Sequence, residues 1–121
     1  MSVVERRQWK RLPLKVFGSF NTCAVALDKG SILDCTLLDV GRGGLRVRIN
    51  TEKKKISNPE EGQDIEFKSF LSERYMFLTG KTGVVVWYNG LSREFGIKFN
   101  EILPESDVEN CVRESGEAAQ G

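Results

Sequence analysis

The sequence predicts a small, mainly β protein that closes into a barrel and carries one short helix at its end. Three observations lead there. Short runs rich in Val, Ile, Leu, Phe and Thr recur along the chain, and Gly-containing turn signals punctuate them. Helical spacing shows only after Pro104. With 121 residues, 40% of them hydrophobic and 29% charged, the chain suits one globular domain with its own core.

The elements follow in order. Leu14–Leu27 reads as a strand that ends at Asp28-Lys29-Gly30, and Ser31–Asp39 returns as the second arm of a hairpin. Gly41, Gly43 and Gly44 then break the chain. Beyond them Leu45, Val47 and Ile49 alternate with Arg46, Arg48 and Asn50, a half-buried strand with a basic outer face. Thr51–Gly62, with Pro59, is a loop. Asp64–Leu71, Tyr75–Thr79, Gly83–Trp87 and Glu94–Phe99 supply further strands. After Pro104, Ser106-Asp107-Val108-Glu109 has capping-box spacing, and Val108, Cys111 and Val112 form a narrow apolar stripe. The expected organisation is a flexible basic arm over 1–12, a barrel with its helix over 13–113, and a frayed tail over 114–121.

Composition narrows the chemistry. The chain has no histidine, which removes the commonest general base, the commonest zinc ligand and every Ser-His-Asp arrangement. Cys23, Cys35 and Cys111 lack metal-site spacing and read as reduced, buried thiols of a cytoplasmic protein. Neither an enzyme nor a metal or cofactor site is expected. A net charge of +1 argues against a nucleic-acid polymer as partner, and the lack of any long apolar run argues against membrane insertion. The charge is nonetheless segregated. Arg6, Arg7, Lys10, Arg11 and Lys15 make the first segment basic, and Arg42, Arg46, Arg48 and Lys53–Lys55 a second.

Two constellations stand out. In Arg6-Arg7-Gln8-Trp9-Lys10-Arg11, guanidinium forks can bind phosphate bidentately or reach guanine acceptors, although a basic solvated arm has the same composition. In Asp39-Val40-Gly41-Arg42-Gly43-Gly44, the glycines permit positive φ and close backbone approach. There the Asp39 carboxylate can accept from the N1–H and N2–H₂ edge of a guanine, or simply cap its own turn.

Together they resemble the PilZ domain, the bacterial receptor for cyclic di-GMP. Arg7 and Arg11 match its RxxxR motif, and Asp39 and Gly44 match its D-x-x-x-x-G turn. Gly83–Trp87 and Phe95–Phe99 are similar to its late strands, so the likeness spans roughly residues 5–112. It implies a six-stranded barrel with a C-terminal helix, no catalysis, and cyclic di-GMP as ligand. It also implies an unidentified downstream protein and control of motility, biofilm or polysaccharide. Arg7 and Arg11 would clamp the ligand with Arg6 as auxiliary, Asp39 would read a base and Gly44 would allow close approach. Arg48 and Trp87 are further candidates. The chain departs from the family at Gly41, where a serine is usual; one lost hydroxyl contact costs on the order of 1 kcal/mol. That departure keeps open a degenerate domain that binds protein instead of nucleotide. A small barrel for single-stranded nucleic acid is a third reading, which the near-neutral charge disfavours.

Overall fold

The computed structural model describes residues 21–28, 30–51 and 58–111, and the backbone of 11–13. Arg6, Arg7, the 14–20 part of the first expected strand, Lys53–Lys55 and the 114–121 tail lie outside the described residues.

Seven strands form one sheet: β1 (Arg11–Pro13), β2 (Thr22–Leu27), β3 (Ile32–Gly41), β4 (Gly44–Ile49), β5 (Asp64–Phe70), β6 (Thr82–Asn89) and β7 (Glu94–Phe99). Their order is β1-β3-β2-β5-β6-β7-β4, and an additional β3–β4 pairing closes the last six into an antiparallel barrel. Among the described residues the ring has no open edge, which is how a small all-β domain avoids edge-to-edge pairing. Strand β1 stands apart from the ring. It pairs with Asp39–Gly41, continuing along the edge of β3 that β2 leaves at Thr36.

The inward side chains follow the alternation read from the sequence. Val25, Leu33, Leu37, Leu45, Val47, Phe67, Val85, Phe95 and Ile97 are fully buried. Each such large apolar side chain contributes about 1.5–3 kcal/mol relative to exposure. Phe67 packs against Phe70 and Phe99 with ring centroids 5.6 and 6.2 Å apart.

Two elements differ from expectation. Tyr75–Thr79 is not a strand: Glu73–Leu78 forms a 3-10 helix started by Ser72, whose hydroxyl accepts from the Arg74 N–H at 3.2 Å. Its buried residues, Tyr75 and Leu78, are three apart, the repeat of a 3-10 turn and not the two of a strand. The aromatic and β-prone composition masked a polar start signal at Ser72-Glu73. The C-terminal helix, α1 (105–111 among the described residues), starts before Ser106, with the Asp107 and Val108 N–H groups donating to the Pro104 carbonyl. Ser106 is therefore inside the helix and not its cap. Of the expected stripe, Val108 and Cys111 join the barrel core, together with Leu103 just ahead of the helix, while Val112 lies outside the described residues.

Candidate functional site

Cross-strand register builds one row of residues over five strands. Pro13 of β1 faces Asp39 of β3, Asp39 faces Arg46 of β4, Arg46 faces Gly96 of β7, and Gly96 faces Trp87 of β6. At about 4.8 Å per strand, Asp39 and Trp87 stand three spacings, or about 14 Å, apart on the outer face.

Two β-bulges create this row. From Leu33, Cys35 and Leu37, strict alternation would turn Asp39 inward. The register instead shifts between Leu37 and Asp39, so Val40 takes the core position and Asp39 moves to the outer face beside Arg46. The same happens between Val85 and Trp87: Val85 pairs with inward Ile97, and Trp87 pairs with Gly96. Bulges commonly re-aim side chains in this way. Gly96 then leaves room for the indole, because a Cβ there would lie 2.6 and 2.8 Å from Trp87 Cε2 and Cδ1.

The electrostatics of the row are balanced. Arg46 Nε lies 2.9 Å from Asp39 Oδ2, and Arg46 Nη1 donates to Glu94 Oε1 at 3.0 Å. Arg48, exposed, faces Thr36 on one side and Glu94 on the other. Two guanidinium groups thus sit among two carboxylates, with the exposed Lys98 two residues beyond Gly96 on the same strand. In β1 the backbone of Arg11 is directly opposite Gly41, and that of Pro13 opposite Asp39.

The glycine turn works differently from expectation. The positive-φ glycines among the described residues are Gly30, Gly62 and Gly80, so the 41–44 turn is built without the left-handed backbone of an anion nest. Gly44 does permit a close approach, but to the neighbouring strand: a Cβ there would collide with the Ile97 carbonyl. Gly41 is buried at the end of β3. Arg42 points toward α1, donating from Nε to the Leu103 carbonyl at 3.0 Å, while the Leu103 N–H donates to the Arg42 carbonyl at 2.8 Å.

Sequence reasoning placed Arg46 on the basic face without assigning it a role; its partner became visible only through the bulge. A groove of about 510 Å³ lies elsewhere, across β2, β5 and β6, and is lined by Asp28, Asp64, Glu66, Lys68, Thr82 and Asn100. With three carboxylates against one lysine, which itself pairs with Glu66 at 3.4 Å, it is ill suited to an anion. Among the described residues no cluster of metal-ligating side chains occurs, and no helix is long and apolar enough to cross a membrane.

A barrel of six strands closed by a helix, with an arginine-bearing segment led alongside an Asp-x-x-x-x-Gly turn, defines the class. The PilZ domain family model matches residues 5–114, and the chain belongs to that family. Among solved structures it is similar to the PilZ domain of YcgR from Escherichia coli, described with c-di-GMP. The two are 16% identical, with a TM-score of 0.64 over 95% of each chain. It is also similar to the Bacillus subtilis inhibitor of motility MotI/DgrA, at 13% identity and a TM-score of 0.42, over 95% of this chain and 51% of that one. Among curated proteins none matches the chain.

Proposed function

We propose that the chain is a cyclic di-GMP receptor domain, a regulator and not an enzyme. In this reading Arg7 and Arg11, with Arg6, hold the phosphates and stack on purines. Asp39 accepts from a guanine edge, and Trp87 offers a flat face further along the row. The observation that supports the reading is the β1–β3 pairing, in which Arg11, the last residue of the first motif, is opposite Gly41, and Pro13 is opposite Asp39. The E. coli domain described with the same nucleotide supports it at the level of fold. Binding would gather the arginine segment onto the outer row and change the surface offered to a downstream protein in the cytoplasm, with motility, biofilm or polysaccharide as output.

A second reading, a PilZ domain that binds a protein and no nucleotide, draws on two features. Gly41 stands where the family has serine, and Arg46 already engages the Asp39 carboxylate. Isothermal titration of cyclic di-GMP, with GTP and the Arg7→Ala variant as controls, separates the two. Saturable, selective binding lost in Arg7→Ala establishes the receptor. Absence of heat at micromolar protein overturns the receptor reading in favour of the second, and Gly41→Ser then tests whether one hydroxyl restores affinity, by about fivefold to tenfold.

A further inference from the structure

We infer that Arg46 is the positioning residue for Asp39, and that it sets the selectivity of the site for guanine. The inference rests on the receptor reading above. A carboxylate distinguishes guanine from other purines only if its two oxygens lie in the plane of the N1–H and N2–H₂ donors, so its orientation must be fixed before the ligand arrives. Asp39 has two rotatable side-chain bonds and sits next to a bulge, where the strand alone does not fix it. Arg46 does: one edge of its planar guanidinium lies 2.9 Å from Asp39 Oδ2.

The guanidinium is itself anchored at its other end. Nη1 donates to Glu94 Oε1 at 3.0 Å, and Glu94 belongs to β7, on the side of β4 away from Asp39. A rigid fork held by carboxylates on two flanking strands has little freedom to turn, unlike the point charge of a lysine. The two carboxylates are also shielded, with 13% of the Asp39 side chain and 22% of Glu94 exposed, against 38% of Arg46. Arg46 further faces Gly96, against which the Trp87 indole lies, so it joins the carboxylate to the aromatic at the other end of the row.

The test compares cyclic di-GMP with cyclic di-IMP, which lacks the exocyclic amines, by titration into the wild-type chain, Arg46→Lys, Arg46→Ala and Lys68→Ala. Thermal melting of each protein accompanies the titrations. The wild type is expected to prefer cyclic di-GMP by about tenfold or more, as one charge-assisted hydrogen bond supplies. That preference should fall to within about threefold in Arg46→Ala, decline in Arg46→Lys, and persist in Lys68→Ala. A purely structural role would weaken both ligands equally, and that result overturns the inference, as does an unchanged preference or a wild type that binds both alike. If Arg46→Ala does not fold, Arg46→Lys decides, since it keeps the charge and loses only the fork. A wild type that does not bind cyclic di-GMP overturns the receptor reading itself, an outcome distinct from binding whose selectivity ignores Arg46.

Discussion

The Trp87 indole lies where a side chain on Gly96 would have to be. The two residues face each other between β6 and β7, one residue past the bulge that turns Trp87 outward. The smallest residue on one strand therefore makes the seat for the largest on the next. Gly96→Ala should expel the indole from this seat. Because a side chain can swing while a strand cannot, the stability cost should stay near about 1–2 kcal/mol, the lower part of the overpacking range. Tryptophan emission should shift to the red, with Trp87→Phe reporting the contribution of Trp9. Emission identical to wild type would show that the indole is held by something other than this seat.

Gly44→Ala should behave differently. A Cβ there meets the Ile97 carbonyl, main chain of β7, which can yield only by parting β4 from β7. The loss should reach or exceed the ~3 kcal/mol at the upper end of overpacking effects. It is measured as a fall in denaturation midpoint larger than that of Gly96→Ala. Equal midpoints would mean that the barrel relaxes around either methyl with the same ease.

The barrel was legible in the sequence because its interior obeys a period of two: Leu45, Val47 and Ile49 are buried, with Arg46 and Arg48 outside them. The site was legible as a set of residues but not as an arrangement. Counting by twos from Leu33 puts Asp39 in the core, and counting from Gly83 and Val85 puts Trp87 there. One-residue bulges reverse both, and nothing in a single sequence announces an extra residue in a strand. The pairing of Arg46 with Asp39 was hidden for the same reason. The 3-10 helix at Glu73–Leu78 was missed because Tyr75-Met76-Phe77-Leu78 has the composition of a strand, while its period of three rests on only two buried residues.

The Asp39–Gly44 turn is tied to the C-terminal helix through Arg42. Its Nε donates to the carbonyl of Leu103, the buried residue just before Pro104. Arg42→Ala removes this bond and leaves the return bond from the Leu103 N–H in place. At a half-exposed site the expected cost is modest, about 0.5–1.5 kcal/mol. Hydrogen exchange of amides in 105–111 should accelerate while the β5–β6 amides keep their protection. Unchanged exchange in the helix would show that packing of Val108 and Cys111 suffices to hold it.

Cys23 and Cys35 face each other across β2 and β3 as buried thiols. Burial, and then the nearby Asp34 carboxylate, push the Cys23 thiol from 9.0 up to about 12; burial also raises Cys35, with Cys23 and Asp34 adding to it. The consequence for stability has a definite sign. Below about pH 9 folded and unfolded chains both keep the Cys23 proton, and this group makes stability independent of pH. Between pH 9 and about 12 the unfolded thiol ionises while the folded one does not, so the unfolded state gains. Stability should then decline by about 1.4 kcal/mol per pH unit on account of Cys23, with Cys35 acting in the same direction. Urea denaturation of wild type and Cys23→Ala from pH 7 to 11 reads the effect of Cys23 together with the part of the Cys35 shift that Cys23 causes. The difference between them should be flat up to about pH 9 and change steadily above it. Parallel curves across the whole range would place the Cys23 thiol within reach of water, and a thiol reagent at pH 8 would then label it in the folded chain.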